Sequence, residues 1–353
     1  MVEEHGPMIA RANLSALDTP HGFDPLRAAA SELQDHGFPP RPDREIQPGL
    51  YRIFNLMFSR PFEFITPQFE PSGDNFLTQP RLQTSPGAYR VPPDSTAGAA
   101  TNYETSSNWS GAYVVPSDGT MFVQVFGLWT VPRPSPPPPP DEVPAGPDAE
   151  YACTTWIGFD GQRLYPNSSL PQTGTRQNLS VAANGVQTIR TLAWIQWWTR
   201  DFPNASPSDI PNFPVEPDDQ VAFLLRVKGP RDVSVSIRNL STNQLTRLDM
   251  TMPDPTLQIS GATAEWIMET PTVLNSNPPR LHNFPAYNTM EFVDCVASAA
   301  IAPGQPETPH ILQGAEFIRM FKVRDNPEST AFISVPEKRS DLAVRLTYGG
   351  FPV

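Results

Sequence analysis

The stretch that decides the fold runs from Cys153 to Gly174 and reads CTTWIGFDGQRLYPNSSLPQTG. It opens with the bulky apolar residues of a β-strand. We expect this strand to break at Asp160-Gly161, because an Asp-Gly pair is typical of a tight turn and glycine adopts a positive φ at little cost. The chain then makes a polar excursion and returns through Leu170-Pro171-Gln172-Thr173-Gly174.

The composition favours an all-β body with long connections. Of the 353 residues, 39% are hydrophobic and 18% are charged, which is enough for one large β domain or two ordinary ones. The 44 prolines far exceed the usual share of about one residue in twenty, and proline shortens helices while it suits turns, edges and loops. About thirteen short candidate strands follow residue 102, and they predict an antiparallel two-sheet β-sandwich.

Charge and hydropathy exclude several classes of partner. The net charge of −12 argues against nucleic acid, whose phosphates require a basic face. The N-terminal residues carry acids where a signal peptide needs bases, and no apolar run approaches the ~20 residues of a membrane span. We therefore expect no nucleic-acid or membrane partner, a monomeric chain and, by sequence, a cytoplasmic location. The two cysteines, Cys153 and Cys295, are either one disulfide or two buried thiols.

The chain divides into three parts by composition. Residues 1–67 form a partly helical extension, with helical periodicity over 24–36 and again over 50–58. Residues 68–101 are rich in proline, serine and glycine and are expected to be a linker. The β-sandwich domain is predicted to occupy residues 102–353.

Histidine is missing from the whole stretch between residues 37 and 281. A Ser-His-Asp triad cannot be assembled there without distant loops, and no His/Cys/Asp cluster has the spacing of a zinc site. No glycine-rich phosphate loop is present either. We therefore expect no metal and no cofactor, and any catalysis has to rest on carboxylates and amides.

The segment Ala262 to Glu269, ATAEWIME, carries the best candidate for such a carboxylate. On a strand, Glu265 shares a face with Ile267 and Glu269. An acid on a sheet face lined by aromatic residues is partly desolvated, which raises its pKa and makes it a usable general acid or base. The alternative is an ordinary solvated carboxylate on a strand.

Three motifs in register, together with Gln172, resemble the glutamic peptidases, also called eqolisins. The motifs are Ser107-Asn108-Trp109-Ser110-Gly111, the Trp-Ile-Gly-Phe-Asp-Gly run that starts at Trp156, and Ala264-Glu265-Trp266-Ile267. The resemblance covers roughly residues 102–350. It implies a concanavalin-like jelly roll and an endopeptidase that acts on polypeptides at acid pH, in a family whose members are usually secreted.

By this resemblance, Gln172 and Glu265 are the catalytic dyad. Glu265 would deprotonate the attacking water and return the proton to the leaving amine. The amide of Gln172 would stabilise the oxyanion, a contribution typically worth about 3 kcal/mol. Trp109, Trp156 and Asp160 match family residues that line the cleft, and we predict that they bind substrate. Core packing is the alternative role of the two tryptophans, and capping of the Asp-Gly turn is that of Asp160.

The sequence also leaves alternatives. Arg176 and Gln196 stand where family members often carry acids, which argues against a strongly acidic pH optimum. A carbohydrate-binding or glycoside-hydrolysing jelly roll is the rival function; a glycosidase needs two carboxyls about 5–10 Å apart, and Asp160 is the possible partner of Glu265.

Residues 1–101 lie outside the main body of the resemblance. Peptidases of this family are usually made with a leader that is removed. The extension is therefore either a prosegment cut within residues 85–101 or a permanent appendage whose apolar stripe packs against the sandwich.

Overall fold

The protein is an all-β structure with a partly helical N-terminal region. Within the residues described, the chain forms 23 strands and two helices, and all the strand pairings except two are antiparallel. The predicted fold class is confirmed. The computed structural model describes residues 12–73, 103–139, 141–146, 149–162, 169–199, 206–273, 280–322 and 331–352.

Strands on one side of the molecule form the front sheet, whose order follows from their pairing. From one edge to the other the strands are β3 (Glu70–Pro71), β11 (Ser208–Asp209), β10 (Gln187–Thr199), β9 (Ser169–Val181), β8 (Glu150–Phe159), β15 (Ala264–Glu269), β5 (Trp109–Val114), β21 (Glu316–Lys322) and β4 (Tyr103–Ser106).

The opposite strands form the back sheet. Its members in order are β1 (Asn13–Ala16) and β2 (Glu63–Phe64), which share one edge, then β14 (Gln244–Thr251), β13 (Asp232–Asn239), β12 (Gln220–Gly229), β6 (Met121–Thr130) and β19 (Met290–Ala300), with β23 (Ala343–Pro352) and β20 (Thr308–His310) beyond. Strand β22 (Ala331–Ser340) pairs with both β21 and β23 and so joins the two sheets. Two separate pairs are β7 (Pro134–Ser135) with β18 (Ala286–Tyr287), and β16 (Thr272–Val273) with β17 (Arg280–Leu281).

The main core lies between the two sheets. Side chains alternate along a strand, so Trp266 of β15 and Phe223 of β12 point into this core. Trp129 stacks on Phe223 with ring centroids 4.6 Å apart. Both cysteines are free thiols buried in the same core, which is the second of the two alternatives for them. Burial raises the pKa of Cys153 to about 12.

Residues 12–73, which we call the N-terminal arm, cover the outer face of the back sheet. Helix α1 (Ala30–Asp35) is shorter than the periodicity over 24–36 predicts. The carboxylate of Asp24 instead caps a separate turn by accepting a bond from the N–H of Leu26 at 3.0 Å. Helix α2 (Pro48–Phe58) begins with a proline, as suits a first turn. The arm packs its apolar residues on outward-facing side chains of the back sheet, among them Phe126, Leu224, Leu245 and Val296.

Arginines of the back sheet bind the arm through its backbone. Arg238 donates to the carbonyls of Leu56, Ser59 and Pro61 at 2.8–3.2 Å. Arg247 donates to the carbonyls at residues 36 and 37 and lies 3.5 Å from the ring centroid of Phe38. These contacts tie the arm to strands β13 and β14.

The end of the arm crosses to the edge of the front sheet. Strand β3 pairs with β11, and the N–H of Ser72 donates to the carbonyl of Pro207 at 2.9 Å. The residues expected to form a linker, 68–101, therefore begin with a segment that extends this sheet. Residues 74–102, with the candidate cut within 85–101, lie outside the described residues.

Candidate active site

One row of paired residues crosses the middle of the front sheet. Glu265 of β15 pairs with Tyr113 of β5 on one side and with Gly158 of β8 on the other. Gly158 pairs in turn with Gln172 of β9, which pairs with Gln196 of β10. Directly paired residues share a face of the sheet. The row therefore places the two predicted catalytic residues on the outer face of the front sheet, on either side of a glycine.

Gly158 separates the carboxyl from the amide without adding a side chain. Glu265 and Gln172 lie two strands apart, which is roughly 10 Å at the usual spacing of strands. A Cβ atom at Gly158 would lie 3.0 Å from Cβ of Gln172 and 3.0 Å from the carbonyl oxygen of Pro171. A larger residue at position 158 would therefore displace Gln172 and fill the space between its amide and the carboxyl of Glu265.

The two carboxylate oxygens of Glu265 have different surroundings. Oε1 accepts a hydrogen bond from the N–H of Gly161 at 3.0 Å and another from the hydroxyl of Thr263. Oε2 is buried and has no hydrogen-bond partner within the described part of the chain. Burial raises the pKa of Glu265 well above its ordinary value, the bond from Thr263 lowers it, and the nearby carboxyl of Asp160 raises it.

Asp160 forms the turn that supports Glu265. Its φ is 63°, a left-handed conformation that few residues other than glycine adopt. Its carboxylate accepts bonds from the consecutive N–H groups of residues 260–262 at 2.7, 3.0 and 2.7 Å. Burial raises the pKa of Asp160, and these donors oppose that shift. Asp160 thereby holds the segment that leads into β15.

Gly161 has a different role from the one the sequence predicts. The positive φ of the Asp-Gly turn falls on Asp160, not on the glycine. A Cβ atom at Gly161 would lie 2.4 Å from the indole of Trp109. Glycine is required there because the aromatic ring approaches the backbone closely.

Gln172 lies inside strand β9 and not in the turn that its neighbours suggest. Its Nε2 donates to Oε1 of Gln196 at 2.9 Å, and both side chains are buried. The ladder between β8 and β9 ends at the pair of Gly158 and Gln172, so Pro171 has a strand partner only on β10. A proline is tolerated where one side of a strand is unpaired.

An aromatic cluster, separate from the core between the sheets, surrounds the row. Trp109 and Trp156 meet edge to face with centroids 4.9 Å apart. Both are fully buried. The cluster consists of Trp109, Tyr113, Trp156, Leu170, Trp194, Trp198, Ile267 and Ile318. The row of polar groups is therefore set in an apolar surface, as desolvation of a carboxyl requires.

A second acid of the same face supports this cluster. Glu269 is fully buried, and its Oε2 accepts a hydrogen bond from the indole N–H of Trp156 at 2.9 Å. Its Oε1 accepts a longer bond, 3.5 Å, from the side-chain amide of Asn108. Glu269 thus orients a tryptophan that the sequence predicts to line the cleft.

The positive charge of Arg176 is neutralised close to the row. Its guanidinium forms an ion pair with Asp209 at 2.5 Å, and the two side chains are 5% and 6% exposed. Asp209 also accepts a hydrogen bond from the hydroxyl of Ser72 at 2.5 Å. The arm therefore touches the ion pair that flanks strand β9.

The structure gives contacts at the site to three residues to which the sequence assigned no role there. Thr263 binds Glu265, Gln196 binds Gln172 and Glu269 binds Trp156. Thr263 lies two positions before Glu265, so strand alternation alone would have placed both on one face. The contact between Gln172 and Gln196 depends on strand register, which the sequence does not reveal.

Neither a metal site nor a membrane span is found in the part of the chain that the structure describes. No group of three or more His, Cys, Asp or Glu side chains there could hold a metal ion. Neither helix is long and apolar enough to cross a membrane.

Comparison with known families identifies the class of protein. Residues 107–330 match the Peptidase A4 family, the eqolisins. This match spans more than half of the sequence, so the chain belongs to that family and is a glutamic-type peptidase, a hydrolase. No match is found among curated protein sequences.

Solved structures with a similar fold include other members of the family. Scytalido-glutamic peptidase, solved with a transition-state analogue inhibitor, is 21% identical, covers 69% of this chain and 98% of its own, and has a TM-score of 0.49. SCP-B, an eqolisin solved with the tripeptide Ala-Ile-His, is 20% identical, covers 69% and 98%, and has a TM-score of 0.47. Aspergilloglutamic peptidase from Aspergillus niger is 19% identical, covers 56% and 99%, and has a TM-score of 0.41.

Proposed function

We propose that this peptidase is an endopeptidase in which Glu265 activates water and Gln172 stabilises the oxyanion. The observation that carries the proposal is the cross-strand row, which sets the carboxyl and the amide on one face with only Gly158 between them. A scissile peptide bond lying over Gly158 would have a base on one side and a hydrogen-bond donor on the other.

The proposed reaction uses a single carboxyl group. Ionised Glu265 takes a proton from water as the water oxygen attacks the carbonyl carbon. The resulting oxyanion accepts a hydrogen bond from Nε2 of Gln172. Glu265 then returns the proton to the nitrogen as the C–N bond breaks. The proton balance closes without a covalent intermediate.

The surroundings of the row favour mildly acid rather than strongly acid conditions. Glu265 acts as a base only when ionised, so the rate rises with pH through its pKa. Burial raises that pKa, which moves the rising limb to higher pH. Gln196 is neutral, and Arg176 is paired with Asp209. We therefore propose that activity is greatest above the strongly acid range.

Polypeptides are the substrates that the family implies. Trp109 and Trp156 lie beside the row of paired residues, and we propose that they shape the cleft. Their direct contact with substrate stays a prediction. The same holds for Asp160, whose carboxylate binds backbone N–H groups in the structure. These bonds do not favour the rival glycosidase, in which Asp160 would pair with Glu265.

The substitution Gln172→Ala tests the role of the amide. Loss of the donor is expected to lower kcat for cleavage of a denatured protein by about 10²–10³ with a modest change in KM. Gln220→Ala, at an exposed position of the back sheet, is the matched control and should behave as the parent. An unchanged kcat in folded Gln172→Ala would show that the amide is only structural.

A further inference from the structure

Glu265 presents two chemically distinct oxygens. Oε1 already accepts two hydrogen bonds, from the N–H of Gly161 and the hydroxyl of Thr263. Oε2 is buried without a hydrogen-bond partner in the described residues. An oxygen that accepts hydrogen bonds has its negative charge stabilised in place, whereas a bare buried oxygen does not. The two oxygens therefore differ in their readiness to take a proton.

The position of Thr263 is fixed by the strand and by the Asp160 turn. Thr263 is fully buried and directly precedes strand β15, and its hydroxyl donates to Oε1 of Glu265. Its carbonyl accepts a hydrogen bond from the N–H of Asp160 at 3.2 Å. The residues just before it, 260–262, are held by the carboxylate of Asp160. The hydroxyl of Thr263 thus has little freedom to leave Glu265.

We propose that Thr263 is a positioning residue that ties Oε1 of Glu265 and so makes Oε2 the oxygen that exchanges the proton. This inference rests on the proposed function of Glu265. The proton of the attacking water moves to Oε2 as the C–O bond forms, and it leaves Oε2 for the amine as the C–N bond breaks. Thr263 keeps its own proton and donates it to Oε1 throughout.

Other titratable groups lie on the elements next to Glu265. Asp160 lies at the end of β8, Glu269 is on the same strand and face, and Tyr113 is the paired residue on β5. Glu316 of β21 pairs with Tyr113 on its far side. A change at Thr263 leaves all four in place, so a shift in the pH profile reports the loss of the hydroxyl.

The test is the pH dependence of kcat/KM for Thr263→Val and Thr263→Ser on a denatured protein substrate. The rate rises with pH as Glu265 ionises, and loss of a donor to the carboxylate raises its pKa. The rising limb of Thr263→Val should therefore move up by about one pH unit, while Thr263→Ser should keep the parental limb. Thr263→Ala removes the hydroxyl without the added methyl group and serves if the valine variant does not fold.

Thr155→Val is the matched control. The hydroxyl of Thr155 is buried on β8 without a partner in the described residues, and its strand position faces the main core. Thr155→Val should therefore leave the rising part of the pH profile of kcat/KM unchanged. If folded Thr263→Val or Thr263→Ala has the same pH profile of kcat/KM as the parent, the positioning role of Thr263 is overturned.

Failure of the proposed function has a different signature. Full activity in Glu265→Gln would remove Glu265 from the reaction, whatever Thr263 does. Inactive Glu265→Gln together with an unmoved limb in the Thr263 variants would leave the proposed function standing and overturn only the role of Thr263.

Discussion

The outer faces of the two sheets are both buried, but they are buried in different ways. On the back sheet the chain covers itself: the arm packs on Phe126 and Leu224, and its carbonyls accept hydrogen bonds from Arg238 and Arg247. On the front sheet, the buried Glu265 has no ion pair within the described residues, and its Oε2 has no hydrogen bond there.

This difference separates a surface that stabilises the fold from one that can carry out chemistry. On the back sheet, burial lowers the pKa of Arg238 and of Arg247, but each guanidinium donates to carbonyls of the arm and so holds the arm on the sheet. A desolvated acid without a counter-ion costs free energy and has a raised pKa. Such a cost is typical of functional sites. The comparison therefore points to the front face as the place of reaction.

Substituting one glycine of the front sheet and one of the arm tests this contrast. Gly158→Ala puts a methyl group 3.0 Å from Cβ of Gln172, and displacement of a catalytic group by a fraction of an ångström to an ångström is expected to lower kcat about 10–100-fold. Gly49 of helix α2 has no atom within 4 Å of an added Cβ, so Gly49→Ala should keep kcat and gain about 0.5–1 kcal/mol of stability.

Steady-state kinetics and thermal unfolding of both variants measure these effects. Full activity of Gly158→Ala would break the comparison, because it would mean that the spacing of Glu265 and Gln172 does not matter. A loss of activity in Gly49→Ala would mean that the arm on the back sheet is coupled to the reaction.

The back face has a smaller expected effect on activity. We propose that residues 12–73 are a permanent part of the enzyme and stay bound after any cut within 74–102. Most of the polar anchors that bind the arm are backbone carbonyls, which do not titrate, so acid should not release it. The ion pair of Arg52 with Asp294, at 2.5 Å, is a further anchor of the arm.

Gel filtration of the cut protein at mildly acid pH checks this proposal. The two fragments should elute together with parental kcat. Arg247→Met, which leaves buried carbonyls without a donor, should lower the free energy of unfolding by about 2–4 kcal/mol and leave kcat unchanged. If the β-sandwich separates from the arm, whether or not it remains active, the result would instead favour a releasable prosegment.

Much of the fold follows from the sequence because short runs rich in apolar residues, separated by turn residues, predict strands. The segments around Trp266 and Phe223 are such runs, and the structure has strands there. Strand β9 already begins at Ser169, although Pro171 and Gly174 are residues typical of turns. Proline can lie inside a strand where one side of the strand is unpaired, as at Pro171, so it does not always mark a turn.

The site was predictable only in part. The sequence singles out Glu265 and Gln172, but nothing local shows that they belong to one row, because register depends on three strands far apart in the chain. The contact between Gln172 and Gln196 is hidden for the same reason. Thr263 could have been found from its spacing to Glu265, whereas the arm contact with Asp209 could not.

The central claim is that the carboxylate of Glu265 is the base of the reaction. Its most direct test is kcat for cleavage of a denatured protein by Glu265→Gln, which keeps the shape of the side chain and removes the base. Glu63→Gln, on strand β2 of the back sheet, is the matched control. We predict that Glu265→Gln folds as the parent does but cleaves only at background, while Glu63→Gln retains the parental rate. Cleavage by Glu265→Gln at the parental rate would contradict the claim.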